Sequence, residues 1–149
     1  MIIVNGLLDY TKEWKLPNLY LFTGNPIVNV RGGIVMGRGA AKQIRDFYKG
    51  IDIKFANAKG ENLRWVMLKN GQYLGWIKVK NHWANNADLD IIKTSFNKLK
   101  NAVEIFNEQG AGYKFHCNYP GVGNGHLQYT DVDKVLSSLN LPDEIILYK

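Results

Sequence analysis

The chain has 149 residues, with 19 Lys and Arg set against 13 Asp and Glu for a formal net charge of +6. That length buries one core without disulfide or metal staples and needs no second domain, so residues 1–149 read as a single domain. The single cysteine, Cys117, excludes an internal disulfide, and no apolar run approaches the roughly 18 residues that a membrane span requires.

In chain order, short apolar runs predict strands over 2–4, 19–22, 63–68, 73–79, 112–117 and 144–148. Residues 1–5 turn polar too soon for a signal peptide, and a cytoplasmic protein is expected. Between the third and fourth runs lies Asn70-Gly71, the strongest short hairpin signal, so those two strands should be antiparallel neighbours. Helices are predicted over 40–48, 88–109 and 131–139. The periodicity is clearest in the second, where Leu89, Ile92, Phe96, Leu99, Val103 and Phe106 recur at steps of three and four before Gly110. Strands alternating with helices, plus one hairpin, predict an α/β fold in which helices cover both faces of a mixed central sheet.

Two glycine-rich turns carry the strongest chemical signal. The first runs from Gly32 through Gly33, Val35, Met36, Gly37, Arg38 and Gly39 into the helix-like run that begins at Ala40. The second is Gly121-Val122-Gly123-Asn124-Gly125-His126, again between a strand-like and a helix-like run. Glycine lets the backbone approach a ligand closely, and the free N–H groups of a helix start favour an anion. Two such loops at the carboxyl ends of strands can close on one diphosphate.

Other residues admit two readings each. Asn25 and Asn29 lie in the turn after the second strand, where an amide serves either the turn or a ribose hydroxyl. Alternation along the fourth strand puts Lys78 and Lys80 on the face of Trp76, as solvated edge residues or as anion-binding or catalytic ones. His116 reads as a satisfied core or rim histidine and Cys117 as a packed thiol, whereas His126, inside the second loop, is placed to meet a phosphate or a water. The lysines are scattered from Lys12 onward, which a solvated surface accounts for while leaving a small phosphorylated ligand or nucleic acid compatible. One Cys and three separated His give no clustered zinc spacing, and neither a nucleophile elbow nor a P-loop occurs, so no metal or cofactor is expected.

Taken in order, Asn5-Gly6-Leu7-Leu8, Val35-Met36-Gly37-Arg38-Gly39-Ala40-Ala41, Lys80-Asn81-His82-Trp83 and the stretch from Gly121 to Tyr129 resemble the motifs of the macrodomain family. The resemblance is to the branch of DNA de-ADP-ribosylating antitoxins and ADP-ribose-1''-phosphatases, and it spans nearly the whole chain. It implies a three-layer αβα sandwich that binds ADP-ribose or a related phosphorylated ribose and hydrolyses a bond at the distal ribose. The alternative it leaves is a non-catalytic binder that sequesters an ADP-ribose-like signal. By the same resemblance Lys80 is catalytic and the early-loop Asn that contacts the distal ribose is Asn25 or Asn29, with Asn29 counted beside the reacting centre and His126 supplying acid–base work in place of the family's missing second-loop aspartate. The ligand is held by Asn25, Gly33, Val35, Met36, Gly37, Arg38, Gly39, Gly121, Val122, Gly123, Asn124, Gly125 and Tyr129. Two positions depart from the family pattern: Leu7 replaces the aspartate that reads the adenine amino group, and no second-loop aspartate is present where His126 and Gln128 stand. ADP-ribosylated DNA or protein is the implied macromolecular partner. The expected setting is a monomeric phage or bacterial accessory protein, in the host cytoplasm if phage-encoded.

Overall fold

The computed structural model describes residues 1–12 and 14–149. Its elements are β1 (Ile2–Val4), β2 (Asn18–Gly24), α1 (Gly39–Phe47), α2 (Ile51–Asn57), β3 (Leu63–Met67), β4 (Tyr73–Lys78), α3 (Leu89–Phe106), β5 (Lys114–Asn118), α4 (Tyr129–Ser138) and β6 (Ile145–Tyr148). The strands form one six-stranded sheet in the order β1-β6-β5-β2-β4-β3. Every pair is parallel except β3 with β4. The Asn70-Gly71 signal accounts for that exception: Gly71 takes φ 82° in the connecting turn, the Asn70 side chain accepts from Gln72 N, and Leu63 through Met67 pair antiparallel with Ile77 through Tyr73. No helix among the described residues is long and apolar enough to cross a membrane.

Alternation sorts the strand side chains into two cores. Leu19, Leu21, Ile77, Phe115, Cys117, Ile145 and Leu147 face α3 and α4, meeting Ile92, Phe96, Leu99, Val103, Val132 and Leu136. Phe22, Leu74 and Trp76 point the other way, toward Ala41 and Ile44 of α1 and Ile51 and Phe55 of α2. The result is the expected three-layer αβα sandwich on a mixed sheet. Cys117 is fully buried and its thiol is pushed well up by that burial, the behaviour of a packed, unreactive sulfur.

α3 follows its apolar stripe and starts where Asp88 caps it, the carboxylate accepting from Asp90 N at 2.8 Å and Ile91 N at 3.3 Å. α4 begins two residues earlier than the pattern predicts. α2 was not predicted. Ile51, Ile53 and Phe55 alternate with polar residues as a strand would, but Gly50 in the left-handed region (φ 80°) opens a helical turn. Ile51 and Phe55 are then buried one turn apart, and Ile53 stays exposed.

His116 lies on the α1–α2 side of β5, with its imidazole stacked on Tyr20 at 4.9 Å. Asn18 Oδ1 at 2.8 Å and the Tyr148 hydroxyl at 2.7 Å satisfy its two nitrogens. Burial, with Lys114 nearby, holds its pKa below the ordinary histidine value. It is the satisfied rim histidine that its position in the sequence suggested.

Candidate functional site

The carboxyl ends of β6, β5, β2 and β4 open onto a cleft of about 560 Å³. Parallel strands bring their following loops to one edge of the sheet, which is why both glycine-rich turns arrive there. The first turn leads into α1, whose first intrahelical bond runs from Lys42 N to Arg38 O. The N–H groups of Gly39, Ala40 and Ala41 therefore have no partner within the helix. No side chain caps this end and no acidic residue lies in the first turn, so its partial positive charge faces the cleft unopposed.

The second turn folds on itself, with Leu127 N donating to Gly121 O and His126 N to Gly123 O. Gly121 requires its φ of 76°, and a Cβ there or at Gly125 would strike Ile92 or Ala87. The two turns touch: the Asn124 amide lies 2.9 Å from where a Gly39 Cβ would sit. By contrast, a Cβ on Gly37 or Gly123 would meet nothing within 4 Å and would project into open space.

Lys80 is half-buried two residues beyond β4. Its ammonium donates to the carbonyls of Asn85 (3.2 Å), Trp83 (3.4 Å) and Asn124 (3.4 Å), which ties the loop after β4 to the second glycine-rich turn. Burial, together with the charge of Arg38, holds its pKa below the ordinary lysine value. β4 ends at Lys78, so strand alternation stops before Lys80; Lys78 lies outside the cleft lining and its backbone N–H donates to Asn62 O. Asn25 is buried beneath the cleft. Its Oδ1 accepts from Ile27 N at 3.1 Å, leaving the amide N–H groups for a ligand.

The structure brings together Lys80, Asn25, Val35, Gly37, Arg38, Gly39, Gly121, Val122, Gly123, Asn124, Gly125 and Tyr129 around this one space. Four sequence-predicted residues lie outside its lining. Asn29 is occupied within its own turn, accepting from Arg31 N and Gly33 N. Gly33 packs so tightly on Asp52 of α2 that a Cβ there would collide with the carboxylate. Met36 is core beneath the loop, and His126, with φ 59°, points to solvent.

Sequence reading missed Tyr10, Asn118, Tyr119, Tyr148 and Lys149, which reach the cleft from strand ends and the first loop. Tyr10 is fully buried; its hydroxyl donates to Leu21 O at 2.5 Å and accepts from Asn118 N at 3.2 Å. Asn118 in turn takes Thr23 N on its Oδ1 and gives Nδ2 to Thr23 Oγ1, a polar floor tying β5 to β2. Desolvation and the bond to Asp133 push the Tyr119 phenol well up, so it stays neutral. Polar residues at the last position of a parallel strand or just after it are the signal that would have found Asn118, Tyr119, Tyr148 and Lys149.

The cleft's charge is one-sided. Arg38, Lys80 and Lys149 line it, and among the described residues no Asp, Glu or His does. A cationic, glycine-lined cleft at the strand carboxyl ends of such a sandwich has the geometry that favours an anionic group. More narrowly, the fold is the macrodomain fold. It is similar to the macrodomain of Mycobacterium tuberculosis DarG at a TM-score of 0.71 and 23% identity, over 99% of this chain and 97% of that one. The macrodomain of Thermus aquaticus DarG matches at 0.70 and 18%, over 99% and 95%. Thermosipho africanus DarTG in complex with ADP-ribose matches at 0.64 and 18%, over 87% of this chain and 37% of that one. No family model and no curated protein sequence matches the chain.

Proposed function

We propose that the cleft binds ADP-ribose or a close derivative and that the protein hydrolyses a bond at its distal ribose, with Lys80 as the catalytic residue. The reaction releases ADP-ribose from a macromolecule, or phosphate from ADP-ribose-1''-phosphate. The observation that carries this reading is the one-sided lining: two touching glycine-rich loops, an uncapped helix start and three cations, with no carboxylate among the described residues of the lining. A diphosphate is the ligand such a lining accommodates at least cost, because its charge meets fixed backbone dipoles and cations in place of water. The Thermosipho protein, which shares the fold and holds ADP-ribose, supports the assignment.

Lys80 suits the chemistry. Water adds at C1'' and loses a proton to solvent as the bond to the leaving group breaks, while the departing group is stabilised and then protonated by the Lys80 ammonium, which regains its proton from solvent. Its carbonyl contacts at 3.2–3.4 Å position the ammonium, the departing group takes over one of those N–H groups from a carbonyl, and the lowered pKa eases that proton's transfer.

The test compares wild type with Lys80→Ala. ADP-ribose binding is measured by calorimetry. Turnover is followed by phosphate release from ADP-ribose-1''-phosphate and by ADP-ribose release from a modified oligonucleotide. The variant should lose at least about 100-fold in turnover, the usual scale for removal of a proton-transfer group, while still binding ADP-ribose. Unchanged turnover in the variant would overturn the role of Lys80. Wild-type binding without turnover on either substrate would leave the second reading, a sequestering module, which the absence of Asp, Glu and His from the described lining favours.

A further inference from the structure

The cleft is not uniform along its length. Because β6, β5, β2 and β4 are consecutive in the sheet, Lys149 past β6 and Lys80 past β4 stand three strand spacings apart, about 14 Å. The β4 side presents amides and the Lys80 ammonium with one aromatic, Trp83. The β6 side presents Tyr119, Tyr129 and Tyr148 with Leu7 and Leu8. A flat, largely apolar base belongs on the aromatic side, and ribose hydroxyls belong on the amide side.

Most polar atoms on the base side are already engaged. The Tyr148 hydroxyl meets His116 Nδ1 at 2.7 Å, the Tyr119 hydroxyl donates to Asp133, and Asn118 is committed to Thr23 and Tyr10. The Gln43 side-chain oxygen faces Tyr10 N at 3.4 Å. The Gln43 amide N–H groups remain, and so does the Lys149 ammonium. It lies 4.9 Å from the ring centre of Tyr129 and 5.3 Å from that of Tyr119. Its backbone is clamped on both sides, N donating to Val4 O at 3.0 Å and O accepting from Gly6 N at 2.7 Å. Among the described residues no carboxylate pairs with it. The rings hold an ammonium by cation–π attraction while leaving its N–H groups free to donate.

We propose that Lys149 is a specificity-determining residue: it makes the base end of the cleft select a ligand whose base presents a carbonyl acceptor edge, as hypoxanthine does, over the amino edge of adenine. The inference rests on the ADP-ribose reading of the cleft and refines it to the base. An ammonium reads adjacent O6 and N7 acceptors well and meets a donor where adenine carries its amino group.

Calorimetric titration of the full chain with inosine diphosphate ribose and with ADP-ribose tests it, in wild type and in Lys149→Met. Wild type should bind the inosine form about tenfold more tightly, the scale on which one such contact discriminates between bases. Lys149→Met should lose that preference, the affinity for the inosine form falling about tenfold further than that for ADP-ribose. Equal or tighter binding of ADP-ribose by wild type overturns this inference and leaves the cleft assignment standing. An equal loss of both ligands in Lys149→Met also overturns it, since Lys149 would then act on the shared diphosphate. Binding of neither nucleotide by wild type overturns the ADP-ribose reading and this inference with it.

Discussion

Gly37→Ala and Gly123→Ala separate the ligand's needs from those of the fold. Neither glycine has a φ in the left-handed region, and a Cβ at either meets nothing within 4 Å, so the native backbone accepts alanine without strain. Stability should hold or rise by about 0.5 kcal/mol, because alanine narrows the unfolded ensemble, and the melting temperature should move up by about 1–2 °C in a domain of this size. The same methyl group stands where a diphosphate would approach the backbone N–H groups of the two loops. Pushing the phosphate back from two charge-assisted hydrogen bonds, each about 1.5–3 kcal/mol, should weaken ADP-ribose binding by about 3 kcal/mol at the lower end, or roughly 150-fold. Thermal melts and calorimetric titrations on the same preparations measure both quantities. Intact stability with wild-type affinity in both variants would refute the two-loop cradle. A large loss of stability would refute the claim that these glycines serve the ligand and not the fold.

Three further outcomes concern the scaffold. His116 is neutral in the folded protein at pH values where the unfolded chain is already protonated, because its pKa lies below the unfolded value. The unfolded state thus binds the extra proton, and its stabilising contribution is complete above about pH 6.5 and declines as pH falls toward the folded pKa; urea melts across pH 5 to 7.5 should show this slope flattened in His116→Gln. Phe96→Ala empties a fully buried position between α3 and the sheet and should cost about 3–5 kcal/mol, while Ile105→Ala at an exposed site of the same helix should stay within about 0.5 kcal/mol by the same melts. Asp88→Ala removes the α3 cap and should cost about 1 kcal/mol in denaturant unfolding, with Asp88→Asn recovering most of it.

The features legible in neighbouring residues are local ones. The Asn70-Gly71 hairpin, the α3 stripe from Leu89 to Phe106 and the buried strands are each written in neighbouring residues, because turn chemistry and a 3.6- or 2-residue period act within a few positions of the chain. The two glycine-rich loops were legible for the same reason. α2 was not, since Ile51, Ile53 and Phe55 satisfy a strand pattern locally and only packing against Phe22 and the rest of its core selects the helix. The tertiary structure alone decided which residues share the cleft. Asn29 and His126 sit within or beside the right loops yet turn away from it, because a one-residue change in backbone direction at a turn re-aims a side chain altogether. Tyr10, Asn118 and Lys149 carry no motif and are far apart in the chain; they meet because parallel pairing in the order β1-β6-β5-β2-β4-β3 gathers distant strand ends along one edge of the sheet. Strand order is a property of the whole packed domain, which no window of sequence contains.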